Sequence, residues 1–216
     1  MRDRASSGSS DNYHLGLYGG ATWGELAFRA GASYTWHDIT TGRSVSFPGF
    51  DDGLKAGYDA GAAQVFGELA HGIRAGDARF ETFANLAYVN LRTDGFGERG
   101  GAAALAGASS KTEATFTTLG LRTSTAFNLG RARLGAKGML GWRHAFGDGT
   151  PLSAFRFGGG EGFSTAGAPI ARDAAVVEAG LDYAVSPRAS LGVSYGGQLG
   201  SGVADHSIRA NFSLKF

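Results

Sequence analysis

The chain closes on His206-Ser207-Ile208-Arg209-Ala210-Asn211-Phe212-Ser213-Leu214-Lys215-Phe216. His206, Ile208, Ala210, Phe212, Leu214 and Phe216 share one parity; Ser207, Arg209, Asn211, Ser213 and Lys215 share the other. Successive side chains of a β-strand point to opposite faces, so the stretch has one apolar and one polar face. The pattern recurs upstream. Leu191, Val193, Tyr195 and Leu199 alternate with Ser190, Gly192, Ser194 and Gln198. Ala175, Val177, Ala179, Leu181 and Tyr183 alternate with Val176, Glu178, Gly180 and Asp182. Leu134, Ala136, Leu140, Trp142 and Phe146 oppose Arg133, Gly135, Lys137 and Arg143. Leu26, Phe28, Ala30, Tyr34 and Trp36 oppose Arg29, Gly31, Ser33, Thr35 and His37. Weaker runs cover 58–71, 79–92 and 113–127, and a further one covers 12–21. The pattern predicts about nine strands.

The length of the runs separates two all-β architectures. Strands of a soluble sandwich are usually about 5–6 residues. These runs exceed that and match the ~9–11 residues that carry a tilted strand across a bilayer. Short connections at 22–25, 72–77, 128–131 and 186–188 alternate with longer ones at about 39–56, 93–112 and 147–172. The last, 201–205, is short where a long one is due. Short turns at one end and long loops at the other are the habit of an antiparallel transmembrane β-barrel of outer-membrane type. Tyr34, Trp36, Trp142, Phe146, Tyr183, Phe212 and Phe216 cluster near strand ends, where amphipathic rings form interfacial girdles.

Composition agrees. The 216 residues include 37 Gly and only 4 Pro, with 12% aromatic and 18% charged residues. That is too aromatic for a disordered chain and too poor in Pro for a fibrous one. No apolar run reaches the ~18 residues of a membrane helix. The net charge of +1 gives no reason to expect a nucleic-acid partner. There is no Cys, and the 5 His are scattered, so neither a metal site nor a cofactor is expected. Met1-Arg2-Asp3-Arg4-Ala5-Ser6-Ser7 has no apolar core and does not read as a signal peptide. Residues 1–11 are expected as disordered or as a loop stub, with the barrel domain over 12–216.

Two motifs touch on catalysis. Gly192-Val193-Ser194-Tyr195-Gly196 has nucleophile-elbow spacing, but that chemistry needs a strained strand-to-helix turn, and the motif sits inside an alternating run. Gly158-Gly159-Gly160-Glu161-Gly162 lacks the Lys-Ser/Thr of a phosphate-binding loop and reads as a flexible loop. His144 and His206 fall on the apolar parity, away from Ser194. No catalytic residue is assigned. The polar parity carries Arg29, Glu68, Arg122, Arg133, Lys137, Arg143, Glu178, Asp182, Arg209 and Lys215. A water-filled lumen tolerates such charges, whether as generic polarity or as pairs holding strands in register.

Roughly the last seventy residues resemble the β-domain of autotransporters, the type V secretion translocators. The resemblance rests on Gly141-Trp142-Arg143-His144-Ala145-Phe146-Gly147, on the block from Gly167-Ala168-Pro169 through Ala171-Arg172-Asp173-Ala174-Ala175 to Leu181, on Leu191 to Gly200, and on the closing Phe212-Ser213-Leu214-Lys215-Phe216. It implies an outer-membrane barrel of about twelve strands threaded by a helix. It also implies a surface-bound N-terminal passenger that the domain anchors and helps export. Phe212, Leu214 and Phe216 resemble the signal read by the barrel-assembly machinery. The implied partners are therefore lipid, that machinery, the passenger and the plug helix. Nine strands is an odd number where bacterial single-chain barrels have an even one. With a periplasmic C-terminus, the first run counts as the fourth strand of twelve, and the chain is expected to be incomplete at its N-terminus. No bond is made or broken in such a role, so the domain is not expected to be an enzyme. A porin-like or adhesin-like barrel without a passenger is the alternative.

Overall fold

Antiparallel pairing turns the alternating runs into one continuous sheet. The computed structural model describes residues 6–130, 132–147, 149–186 and 188–214. Its long strands are β1 (Ser6–Trp23), β2 (Leu26–Phe47), β3 (Phe50–Ala75), β4 (Ala78–Thr93), β7 (Ser110–Leu129), β8 (Ala132–Phe146), β11 (Asp173–Ala184), β12 (Ala189–Gly200) and β13 (Val203–Leu214). Among the described residues they pair in the order β1-β2-β3-β4-β7-β8-β11-β12-β13 and curl into a half-barrel. The other elements are β5 (Phe96–Gly97), β6 (Leu105–Gly107), β9 (Leu152–Phe157) and β10 (Gly162–Ala166), which form a second sheet in the order β10-β9-β6-β5.

One end of the large sheet carries tight reversals. Gly24-Glu25 joins β1 to β2, and Gly76-Asp77 joins β3 to β4. Gly76 has φ 59°, a left-handed conformation that residues with a Cβ adopt only at a cost. The other end carries the long excursions of 94–109 and 147–172.

Several expectations change. The loop expected at 39–56 is a hairpin that prolongs β2 and β3 and reverses at Pro48-Gly49. β4 pairs with β3 only from Ala60 onward, so 50–59 project beyond β4 while remaining paired with β2. There the alternation continues on the opposite parity: Leu54, Ala56 and Tyr58 share the face that carries Glu68 lower down β3, with Leu54 and Ala56 buried on it. Residues 6–11, expected as disorder or a loop stub, belong to β1, with Ser6 opposite Arg43. The lengthened β2 gives this polar segment a ladder partner. Lys215 and Phe216 lie outside the described residues.

Burial is sparse and mostly on the polar face. Ala27, Ala70 and Phe83 make a small core, with Met139 packed against it. On the opposite face Leu69, Leu140, Ile208 and Phe212 each leave more than half their surface open. At the long-loop end, aromatic rings link the second sheet to the hairpin. Tyr58 stacks on Phe96 at 4.8 Å, and Phe155 and Phe157 lie 5.8 and 5.7 Å from Phe163.

The 94–109 excursion is strapped onto the hairpin. Arg43 donates from Nε to Glu98 Oε1 (2.8 Å) and from Nη2 to Glu98 Oε2 (2.6 Å), and it reaches the Ala103 carbonyl at 2.8 Å. Ala103 N–H donates to Asp52 (2.8 Å), and Lys55 and Arg99 exchange backbone hydrogen bonds. Leu54 is sealed underneath, 1% exposed. The Arg43 guanidinium, helped by the Leu105 N–H, holds the Glu98 carboxyl below the usual carboxylate range against the opposing pull of burial. A lowered folded-state pKa adds stability that is complete above the unfolded value of ~4.3 and is lost as pH falls through the folded value. Hydrogen exchange at Ala103 and Leu105 is therefore expected to be slow at neutral pH and to speed up below about pH 4, after correction for the intrinsic rate. Glu98→Gln should already be fast at pH 7. Equal protection of the parent and Glu98→Gln at pH 7 would show that the strap does not depend on this carboxylate.

Candidate functional site

The ladder assigns every strand residue to one of two faces, and ion pairs identify the polar one. Arg29 on β2 lies opposite Glu68 on β3, and Glu81 on β4 lies opposite Arg122 on β7. These four side chains close into one network. Arg29 Nη1 donates to Glu68 (2.8 Å) and to Glu81 (2.9 Å), and its Nη2 donates to Glu81 (3.0 Å). Arg122 donates to both Glu68 oxygens at 2.7 Å and to Glu81 at 3.2 Å. Arg79 adds a contact to Glu81 at 3.2 Å. Arg29 reaches over β3, and Arg122 reaches over β4, so four strands are pinned in register. The Arg122 guanidinium also sits 3.7 Å from the centre of the Phe83 ring, a cation–π contact.

The two signs differ in exposure. Glu68 and Glu81 are buried, at 6% and 7%, while the arginines keep over a third of their side chains in solvent. A nearly buried carboxylate depends on its donors, whereas a half-exposed guanidinium retains its water.

Among the described residues the remaining candidates divide into paired and unpaired groups. Lys137 bridges to Asp182 at 3.1 Å with both groups about half exposed. Arg143 lies 5.0 Å from the Phe116 ring centre. Glu178 and Arg209 border a cavity of about 420 Å³, which Arg79, Arg122 and Lys137 also line. Arg133 borders another, of about 370 Å³, near the short turns. Lys215 falls outside the described residues. Glu81, Arg79 and Phe83 were missed by the sequence reading. The run at 79–92 alternates weakly because Phe83 and Leu91 interrupt its polar parity, which hid the one carboxylate that all three arginines share.

The opposite face is apolar. Trp36 packs against Tyr34 at 4.6 Å, and the Trp142, His144 and Phe146 rings run up β8 at 5.6 and 4.6 Å. Phe212 and Leu214 project from this face of β13 and are well exposed. Ser194 sits within β12, between Gly180 and Arg209, on the polar face. His206 lies on the other face, bonded to the Tyr195 hydroxyl at 2.7 Å. Strand continues on both sides of Ser194, so the nucleophile-elbow spacing is not accompanied by an elbow.

A sheet with exposed apolar residues on one face, charges on the other and turns of unequal length at its ends is a membrane-barrel wall. The family model "Autotransporter beta-domain" matches residues 1–196. The chain belongs to the autotransporter β-domain family. As such it is a translocator-type barrel domain of the bacterial outer membrane. Two proteins called "Extracellular serine protease", from Serratia marcescens, are 40% identical over 212 residues and 39% over 208, covering 98% and 96% of this chain. The chain spans about a fifth of the length of these curated relatives, 20% in each case. The translocator domain of autotransporter NalP from Neisseria meningitidis shares the fold, with a TM-score of 0.72 at 17% identity. That match covers 98% of this chain and 68% of the neighbour. In this autotransporter β-domain the short turns read as periplasmic and the long loops as extracellular.

Two contrasts test the faces. Leu181→Arg on the apolar face is expected to cost ~2–4 kcal/mol on insertion into lipid vesicles, while Asn211→Arg on the polar face should fold as the parent does. Equal folding yields would refute the face assignment. Arg122→Met leaves a buried carboxylate short of donors and should lower unfolding stability in urea by about 1–3 kcal/mol. Lys137→Met removes an exposed pair and should cost less than about 1 kcal/mol. If the two variants have the same midpoint, the network contributes no more than a surface ion pair.

Proposed function

We propose that the polar face of this autotransporter β-domain lines the passage through which an upstream passenger reaches the cell surface. Arg29, Glu68, Arg122, Arg133, Lys137, Arg143, Glu178, Asp182, Arg209 and Lys215 would be its lining residues. The supporting observation is the cross-strand network of Arg29, Glu68, Glu81 and Arg122, which keeps a hydrated, charged wall in register without filling it with large apolar side chains. A plug helix from upstream would lie against this wall. The apolar face would meet lipid, and Phe212, Leu214 and Phe216 would hand the chain to the barrel-assembly machinery. Residues 12–216 then act as one anchoring domain that performs no chemistry of its own. The proteolysis that the names of the Serratia relatives describe would belong to the four-fifths of their length that this chain does not span.

The test uses the full-length protein in the outer membrane. Passenger exposure is read by cleavage with protease added to intact cells. The parent should present its passenger at the surface. Phe212→Asp and Leu214→Asp together should leave the passenger inside and the chain degraded, because charge replaces two lipid-facing residues of the closing strand. A passenger displayed normally by that double variant would overturn the proposed role of the closing strand in membrane assembly.

A further inference from the structure

Following the ladder from strand to strand gives a row that sequence order conceals. Arg74 on β3 is opposite Arg79 on β4, and Arg79 is opposite Ser124 on β7. Ser124 is opposite Lys137 on β8, and Lys137 is opposite Gly180 on β11. Gly180 is opposite Ser194 on β12, and Ser194 is opposite Arg209 on β13. All seven lie on the polar face. The row carries four cations and no carboxylate.

Its neighbours do not neutralise it. Arg79 touches Glu81, but Glu81 is already held by Arg29 and Arg122. Lys137 has Asp182, in an exposed pair. Arg74 and Arg209 make no ion pair among the described residues. Arg74 and Arg79 face each other directly, an arrangement of like charges that destabilises a strand pair. A bound anion would reverse that cost.

The row also has room above it. The 420 Å³ cavity runs along it and is lined by Arg79, Lys137 and Arg209 from the row and by Arg122, Glu81 and Glu178 from the next one. With their pairing partners counted, Arg29, Arg74, Arg79, Arg122, Lys137 and Arg209 outnumber Glu68, Glu81, Glu178 and Asp182 by two, so the row and its surroundings stay positive. Ser124, Gly180 and Ser194 keep its floor low, and the Lys137 side chain lies across Gly180, where a Cβ would come within 2.5 Å of it.

We propose that this basic row is a track for an acidic stretch of the exported polypeptide. The proposal rests on the translocator reading and adds a preference for carboxylate side chains. Strands lie about 4.8 Å apart, so Arg79 and Lys137 are ~10 Å from one another, and Lys137 and Arg209 are ~14 Å apart. An extended chain rises ~3.3 Å per residue, so acidic residues spaced by about three and four positions would meet successive cations. In a closed barrel with tilted strands, a row perpendicular to the strands climbs as a spiral. The track would then lead from near the periplasmic turn at Gly76-Asp77 up the wall toward β13.

The experiment uses the full-length chain in the outer membrane, stalled during export by a folded block in the passenger. A photoreactive amino acid replaces Ser124. Behind the block the passenger carries a tract of about ten residues, enough to lie along the row at ~3.3 Å per residue, either rich in Asp and Glu or in Asn and Gln. Crosslinking to the acidic tract should exceed that to the amide tract by about five- to tenfold, the combined effect of two or three partly exposed ion pairs. Arg74→Ser with Arg209→Ser should bring the acidic tract down to the amide level. Equal crosslinking of the two tracts in the parent would overturn the track and leave the translocator reading standing. Failure of the unblocked passenger to reach the surface in the parent would overturn the translocator reading and the track with it.

Discussion

A strand inside a bilayer has no water to satisfy its backbone, so each N–H and C=O must find a neighbouring strand. This constraint governs the whole molecule. It calls for long strands, because the ladder must run the full thickness of the hydrocarbon. It calls for antiparallel neighbours joined by reversals at the surface, as at Gly24-Glu25 and Gly76-Asp77. It also fixes the side-chain period at two, so each strand divides its residues between lipid and the polar interior. Leu140 and Lys137 sit three positions apart on one strand and face different solvents.

Because apolar residues are committed to the outer face, the inner face cannot be held together by a hydrophobic core. Ala27, Ala70, Phe83 and Met139 form only a small cluster there. Polar linkage supplements it. Glu68 and Glu81 are buried and share donors from strands on either side, which ties β2, β3, β4 and β7 together. A slip of one residue would carry the carboxylates to the apolar face and strand the arginines, so the network enforces the register that the lipid face also requires. Charges of this kind leave hydrated space beside them, which a packed apolar core would not.

Beyond the bilayer the rules of water-soluble structure return. The upper part of β3 projects past β4, and the hairpin it makes with β2 is covered by the 94–109 segment, which buries Leu54. Tyr58, Phe96, Phe155 and Phe163 join that hairpin to the small sheet of β5, β6, β9 and β10. The lower wall therefore faces lipid, while the extracellular end folds on itself with straps and stacked rings.

The sequence by itself determined which parity is apolar in the strongly alternating strands, where most of the tight turns fall and that the chain is a membrane-barrel wall. These follow from a local rule, since a side chain's face depends only on its position along the strand. Even the charges on the polar parity could be read this way, Arg29, Glu68 and Arg122 among them. Tertiary structure alone decided which charges meet. Arg29 and Glu81 are separated by 52 residues, and their bond depends on the offset between β2, β3 and β4. Register also decided that Arg74, Arg79, Lys137 and Arg209 fall in one row, although nothing in their spacing along the chain links them. The extended hairpin at 39–56 and the second sheet were illegible for a related reason. Above the membrane the apolar parity of β3 switches to the face that carries Glu68 lower down, and what covers Leu54 there comes from residues 94–109, later in the chain.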